Sequence, residues 1–128
     1  MALLYTIQPR KNPRDNKAPE KFYIVSTSLS RIEFEDLIRE ASEETTLNHD
    51  ELRLGLNLVF KKAVERLSEG YTVDMGQIGR MGLRVNSTGS DTVDKVSVTG
   101  NVKDIKPYFV FADDIRAKLK KTKLKKKD

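Results

Sequence analysis

Apolar and polar positions alternate at the start of the chain, gather into helical stripes in the middle, and alternate again beyond it. Residues 3–9 ("LLYTIQP") and 22–27 ("FYIVST") are rich in β-branched and aromatic residues and predict two short strands. Between them "RKNPRDNKAPEK" carries two prolines, two asparagines and several charges, the make-up of a surface loop. The three pieces predict an N-terminal hairpin with a long connection. Ser30 followed by Glu33 has the S-x-x-E form of a capping box, and Ile32, Phe34, Leu37, Ile38 and Ala41 supply a helical stripe behind it. A longer helix starts at Asn48, with Asp50 and Glu51 in its first turn, and runs to Glu69, where Gly70 is a natural stop. One of its stripes is Leu52, Leu56, Val59, Phe60, Ala63, Val64 and Leu67; a second is Leu54 and Leu58. A helix apolar on two sides needs two partners, and in so short a chain a second copy can be one of them.

Beyond Gly70, "YTVDM" predicts a strand, and "RMGLRVNS" a second with Met81, Leu83 and Val85 on one face. "STGSD" predicts a turn, and "VSVT" and "PYFVF" further strands. Asp113 predicts the cap of a last helix, bearing Ile115 and Leu119, that dissolves into a lysine tail. The element order is two strands, two helices, a run of strands and a helix, an α+β arrangement.

Length and composition narrow the chemistry. The 128 residues fit one domain. The absence of cysteine excludes a disulfide scaffold or thiolate metal site and fits a reducing compartment. The lone histidine, His49, falls at a first helical position and offers no metal or catalytic cluster. The first helix is acidic on one side (Glu33, Glu35, Asp36, Glu40, Glu43, Glu44), which reads as a solvated face with carboxylates favoured near the helix start. No cofactor and no small-molecule substrate are expected, and catalysis is the least supported class. The N-terminal apolar run is too short for a secretion signal and no later run reaches a membrane span, so the expected setting is cytoplasmic.

Charge placement matters more than the net +5. From Arg116 to Asp128 the chain carries eight Lys/Arg and one acid, which leaves 16 basic and 18 acidic residues over the first 115. The basicity is in the tail. Such a block either contacts a polyanion or only solubilises.

The segment "GYTVDMGQIGRMGLRV" holds four glycines, three of them spaced as G-x-x-G-x-x-G. Three triplets do not make a collagen helix, the spacing is not that of a dinucleotide-binding loop, and no G-K-[ST] follows. The remaining reading is structural: a tight hairpin at "GQIG", with glycine allowing positive φ. A capped two-helix unit, a glycine, a short strand, a G-F-G-x-F type turn, a long β-arm and a final helix resemble the HU/IHF family of bacterial architectural DNA-binding proteins. Family members read G-x-x-V-x-L-x-G-F-G-x-F-x-V-R. Here Gly70, Val73 and Met75 come first, then Ile78 and Gly79 for F-G, Met81 for the next Phe, and Leu83 and Arg84 for V-R. The resemblance covers about residues 30–120, strongest from Thr46 to Arg84. The N-terminal extension looks like that of a longer HU-like subgroup.

That resemblance implies an IHF-like fold: a helical dimer base, an antiparallel sheet with a protruding β-arm, and here an added N-terminal hairpin. It divides one domain, 1–128, into an extension (1–29), a helical dimerisation unit (30–70), sheet and arm (71–111), and a last helix with basic tail (112–128). It implies non-enzymatic, largely sequence-independent binding of double-stranded DNA by a homodimeric, nucleoid-associated protein. The DNA-contacting candidates are Arg80, Arg84, Lys95, Lys103 and Lys106 in the arm, and Arg116, Lys118, Lys120, Lys121 and Lys123 beyond it. The dimer-interface candidates are Leu54, Leu58, Phe60, Ile78, Met81, Phe109 and Phe111.

The departures are specific. The family's P-G-K before the last helix becomes Ala112-Asp113-Asp114. The arm balances Arg84, Lys95, Lys103 and Lys106 against Asp91, Asp94 and Asp104, and its tip "NSTGSDTVD" lacks the proline that wedges between base steps in family members. These departures keep an alternative open: a dimeric HU-fold scaffold or protein-interaction module with weak or lost DNA binding. An RNA-binding role has no aromatic RNP-like platform to support it. The N-terminal hairpin is expected to extend the sheet or to cover the helical base.

Overall fold

The structure is a computed structural model and describes residues 2–128. It begins with the expected hairpin, β1 (Ala2–Arg10) and β2 (Lys21–Thr27), paired antiparallel from Leu4↔Thr27 to Arg10↔Lys21. Two helices follow, α1 (Phe34–Glu43) and α2 (His49–Ser68). The start of α1 lies later than the Ser30 box predicts. Glu33 is the cap, and its backbone N–H donates to Asp36 Oδ2 at 3.3 Å, so the acid one turn inside the helix competes successfully with the serine outside it. The start of α2 is as expected: Asn48 Oδ1 accepts from Glu51 N–H at 2.9 Å. Its end is a Schellman turn. Gly70, at φ +95°, donates to the Leu67 carbonyl, and Tyr71 N–H reaches back to Arg66 O.

The second half is one hairpin built on another. β3 is only Val73–Asp74, much shorter than "YTVDM" predicts, because the chain turns at once. Asp74 Oδ1 accepts from Gly76 N–H at 2.8 Å and Gly76 takes φ +76°. The chain then enters β4 (Gly79–Ser87), which pairs antiparallel with β5 (Val102–Phe111). Between β4 and β5 lie a 3₁₀ turn, Val93–Lys95, and a one-turn helix, α3 (Val98–Asn101). The alternation of "VSVT" therefore does not become a strand: Ser97 Oγ caps α3 by accepting from Gly100 N–H at 3.0 Å. α4 (Asp113–Lys120) has Ala112, not Asp113, as its cap, and Asp113 sits in its first turn.

The largest departure is at the C-terminus. The lysine segment does not dissolve into solvent. Residues Lys123–Lys126 form β6, parallel to β1 in the register Ala2↔Lys123 to Tyr5↔Lys126, and Lys127 N–H donates to the Tyr5 carbonyl at 2.9 Å. The N-terminal hairpin thus neither extends the arm sheet nor stands alone; it forms a second sheet, ordered β2-β1-β6, beside the sheet β3-β4-β5.

The buried core is small. Ile38 is 1% exposed, and among the described residues only Ala63 and Leu67 join it as buried large or methyl-bearing apolar side chains. Around it α1 and α2 are joined by Phe34 and Phe60, whose centroids lie 5.8 Å apart, and by Arg53, which grips both oxygens of Glu35 at 2.7 and 2.6 Å and reaches Asp50 at 2.7 Å. The Arg53 hydrogen bonds hold the Glu35 carboxyl below its usual value. Large apolar side chains on the outer side of α2 stay exposed: Leu54, Leu58, Val59 and Val64. Because Ile38 is the one fully buried large side chain among the described residues, Ile38→Ala should destabilise the fold by about 2–5 kcal/mol. Urea unfolding followed by circular dichroism checks this, with a lower midpoint at an unchanged slope.

Candidate nucleic-acid interface

The ladder between β4 and β5 sorts side chains by parity. Direct pairs run Gly79↔Phe111, Met81↔Phe109, Leu83↔Pro107 and Val85↔Ile105 on one face, and Arg80↔Val110, Gly82↔Tyr108, Arg84↔Lys106 and Asn86↔Asp104 on the other. One face is therefore apolar and aromatic, with Phe109 and Phe111 edge-to-face at 5.0 Å. The other gathers Arg80, Arg84 and Lys106. A bulge follows Asn86↔Asp104, since Ser87 pairs with Val102, and Lys103 is the extra residue it expels. Gly79, at φ +154°, takes the only close approach this corner allows: a Cβ there would overlap the Val110 carbonyl.

The arm tip is tied by one buried amide. Asn101 is 7% exposed. Its Nδ2 donates to the Thr88 carbonyl at 3.0 Å and to Ser90 Oγ at 2.8 Å, while its Oδ1 accepts from Ser97 N–H at 2.8 Å. Backbone bonds add to the knot, Thr88 N–H to Asn101 O and Asn101 N–H to Ser97 O. Lys95 sits in the 3₁₀ turn this knot supports.

The C-terminal candidates form a separate group. Arg116 is 3.7 Å from Asp113 one turn earlier, so part of its charge is answered locally. Lys118 and Lys120 lie in the last turn of α4, where the helix dipole favours cations, and Lys121 is its cap. Lys123 lies on β6. In the β2-β1-β6 sheet, parity again separates the faces. Lys123 and Lys125 share a face with Arg10 and Lys21, and the opposite face carries Leu3, Ile7, Ile24, Phe22 and Leu124. All five of those apolar side chains are exposed, Phe22 to 70%. The basic contributions of Arg10, Lys21 and Lys125 escape a sequence reading because only strand register puts them on the face of Lys123, Lys125 close to it and the Arg10–Lys21 pair at the far end of β1. Tyr108 and Asn101 escape it for the same reason.

Of the dimer-interface candidates, Leu54, Leu58, Phe60, Ile78, Phe109 and Phe111 are all exposed in the single chain, and Met81 is half-buried. Among the described residues, no cluster of three or more His, Cys, Asp or Glu could hold a metal ion. No helix is long and apolar enough to cross a membrane.

A two-helix unit, a short turn with positive-φ glycines, and a long two-stranded arm returning into a last helix define an α+β fold of the HU/IHF-like class. The family model HU-HIG, an HU domain fused to wHTH, Ig, or glycine-rich motif, matches residues 1–126, and the chain belongs to that family. The match includes the N-terminal hairpin and β6. Among solved structures, the chain is similar to one from Bacteroides vulgatus ATCC 8482 called a "Putative bacterial DNA binding protein". The two share 15% identity at a TM-score of 0.66, over 97% of this chain and 47% of that one. At that identity the likeness speaks to fold, and this chain spans about half the length of that relative. No curated protein matches the chain.

The Asn101 knot gives a direct expectation. Asn101→Asp keeps the shape and removes both Nδ2 donors, leaving the Thr88 carbonyl and Ser90 hydroxyl without them. Amide exchange at Thr88 and Ser97 should quicken at least tenfold, while exchange in α2 stays unchanged.

Proposed function

We propose that the chain binds double-stranded DNA as a homodimer, without catalysis and largely without sequence preference, as an architectural protein of the nucleoid. The observation that carries this reading is the sorting of the β4–β5 ladder. Arg80, Arg84 and Lys106 share one face, three cations against Asp74 and Asp104 there, and most of the apolar residues of the ladder occupy the other. A cationic arm face meets phosphates, and phosphate contact binds without reading bases. Lys95 and Lys103 extend the same role to the tip. The group from Arg116 to Lys121 on and after α4, with Lys123 and Lys125 held on β6, adds a second set of contacts.

The homodimer rests on the apolar surfaces left over. Leu54, Leu58 and Phe60 on α2, together with Ile78, Phe109 and Phe111, are too many exposed large apolar groups for a solitary chain. A second copy packed on the same patch covers both sets, as a two-fold interface requires. Sedimentation equilibrium should give twice the chain mass. Leu58→Glu, which places a charge in that seam, should shift the mass toward one chain or abolish folding.

Titration of a short random-sequence duplex at increasing salt tests binding. Affinity should fall steeply with salt, each phosphate-bound cation contributing about 0.9 to the slope of log K against log salt. Replacing Lys123, Lys125, Lys126 and Lys127 by Gln keeps β6 and removes its charge, so the slope should flatten. An unchanged slope would show that these lysines touch no DNA. With no proline at the arm tip to enter the base stack, energy transfer across the duplex should report little bending. If no duplex binds at low salt, the scaffold reading takes over, and the exposed Phe22–Ile24 face of the N-terminal sheet is the surface that favours it.

A further inference from the structure

Gly82 is buried in the middle of the polar arm face, directly opposite Tyr108. Its φ is not positive, so no unusual backbone requires glycine there. The requirement comes from across the strands. A Cβ at Gly82 would lie 2.7 Å from Tyr108 Cε1, and nearer still to the Tyr108 hydroxyl oxygen. The phenol ring lies over the notch that the missing side chain leaves. On the ring rests Arg84, two residues along the same face, with its Cζ 4.4 Å from the ring centroid. No carboxylate pairs with Arg84 among the described residues.

We propose that Tyr108, seated in the Gly82 notch, is a positioning residue that orients Arg84 toward a nucleic-acid phosphate before binding. This rests on the DNA-binding reading above. At that distance the guanidinium lies within cation–π range of the ring, and its N–H donors, which meet no carboxylate among the described residues, stay available to a phosphate. A long side chain otherwise has to be ordered at the moment of binding, and the ring does that ordering in advance. Lys106 stands directly opposite Arg84. Two like charges there repel and would splay apart unaided. The attraction of the ring for the guanidinium opposes that and holds both cations on one phosphate-sized spot. The triplet spacing Gly76, Gly79, Gly82 thus hides two jobs: the first two glycines shape the turn, and the third accommodates an aromatic platform.

The test is a double-mutant cycle in duplex affinity at fixed salt. Tyr108→Ala should weaken binding about 2–5-fold for each arm engaged. Gly82→Ala should do the same, because its Cβ displaces the ring, and Tyr108→Phe should bind like wild type. On an Arg84→Ala background, Tyr108→Ala should cause no further loss. Upfield-shifted Arg84 side-chain proton resonances, present in wild type and Tyr108→Phe and absent in Tyr108→Ala, report the stack in folded protein without DNA. Equal losses from Tyr108→Ala on both backgrounds would mean that the ring only supports the sheet, and the proposal falls. Wild-type binding that Tyr108→Ala leaves unchanged removes the proposal alone. Failure of wild type to bind any duplex removes the DNA reading and this proposal with it.

Discussion

The antiparallel pairing of β4 with β5 is the constraint on which the remaining features hang. A side-chain period of two means that a slip of β4 by one residue would carry Arg80 and Arg84 to the other face, into the place of Met81 and Leu83, and part them from Lys106 on β5. The register is held at one end by Gly79, whose backbone lies too close to Val110 for any side chain. In the middle Tyr108 needs a residue without a side chain opposite its ring, and Gly82 is that residue. At the far end the Lys103 bulge and the Asn101 knot close the arm. A cationic face and an aromatic face are thus two results of one ladder.

The same ladder explains why the single chain leaves so much apolar surface outside. Its aromatic face and the outer stripe of α2 are both exposed, while the buried core amounts to little more than the contact of Ile38 with α2. A core this small provides little hydrophobic stabilisation, because that term grows with the apolar area removed from water. Arg53 adds direction more than strength: exposed ion pairs contribute little, yet the two-point grip on Glu35 sets how α1 lies on α2.

The N-terminal hairpin and the C-terminal lysines change each other's meaning. Alone, β1 and β2 would be a marginal ribbon, and the lysines a solvated tail. Joined through β6 they make a three-stranded sheet with Lys123, Lys125, Arg10 and Lys21 on one face, and Leu3, Ile7, Phe22, Ile24 and Leu124, together with Lys126, on the other. Lysines held on a strand lose less freedom on meeting a polyanion than lysines on a free tail, so each contact they make is worth more.

Local signals account for what was legible in the chain itself. Asn48 and Gly70 bound α2 because caps act within a few residues. Gly76 and Gly79 mark the hairpin because positive φ is a property of single positions. The second apolar stripe of α2, Leu54 and Leu58, is legible as well, and it lies exposed in the single chain. The strong match to the HU-type turn between Gly70 and Arg84 located the arm and its cations. What tertiary structure alone decided are the pairings between distant segments: β6 against β1, Asn101 against Thr88 and Ser90, Tyr108 over Gly82. "KLKK" has no strand-like alternation, and "VSVT" has it without being a strand, since Ser97 caps a helical turn by accepting from Gly100 N–H three residues on. Register is a relation between two stretches of chain, and neither stretch carries it alone. That is why the arm could be read from the sequence, and the face on which each of its residues works could not.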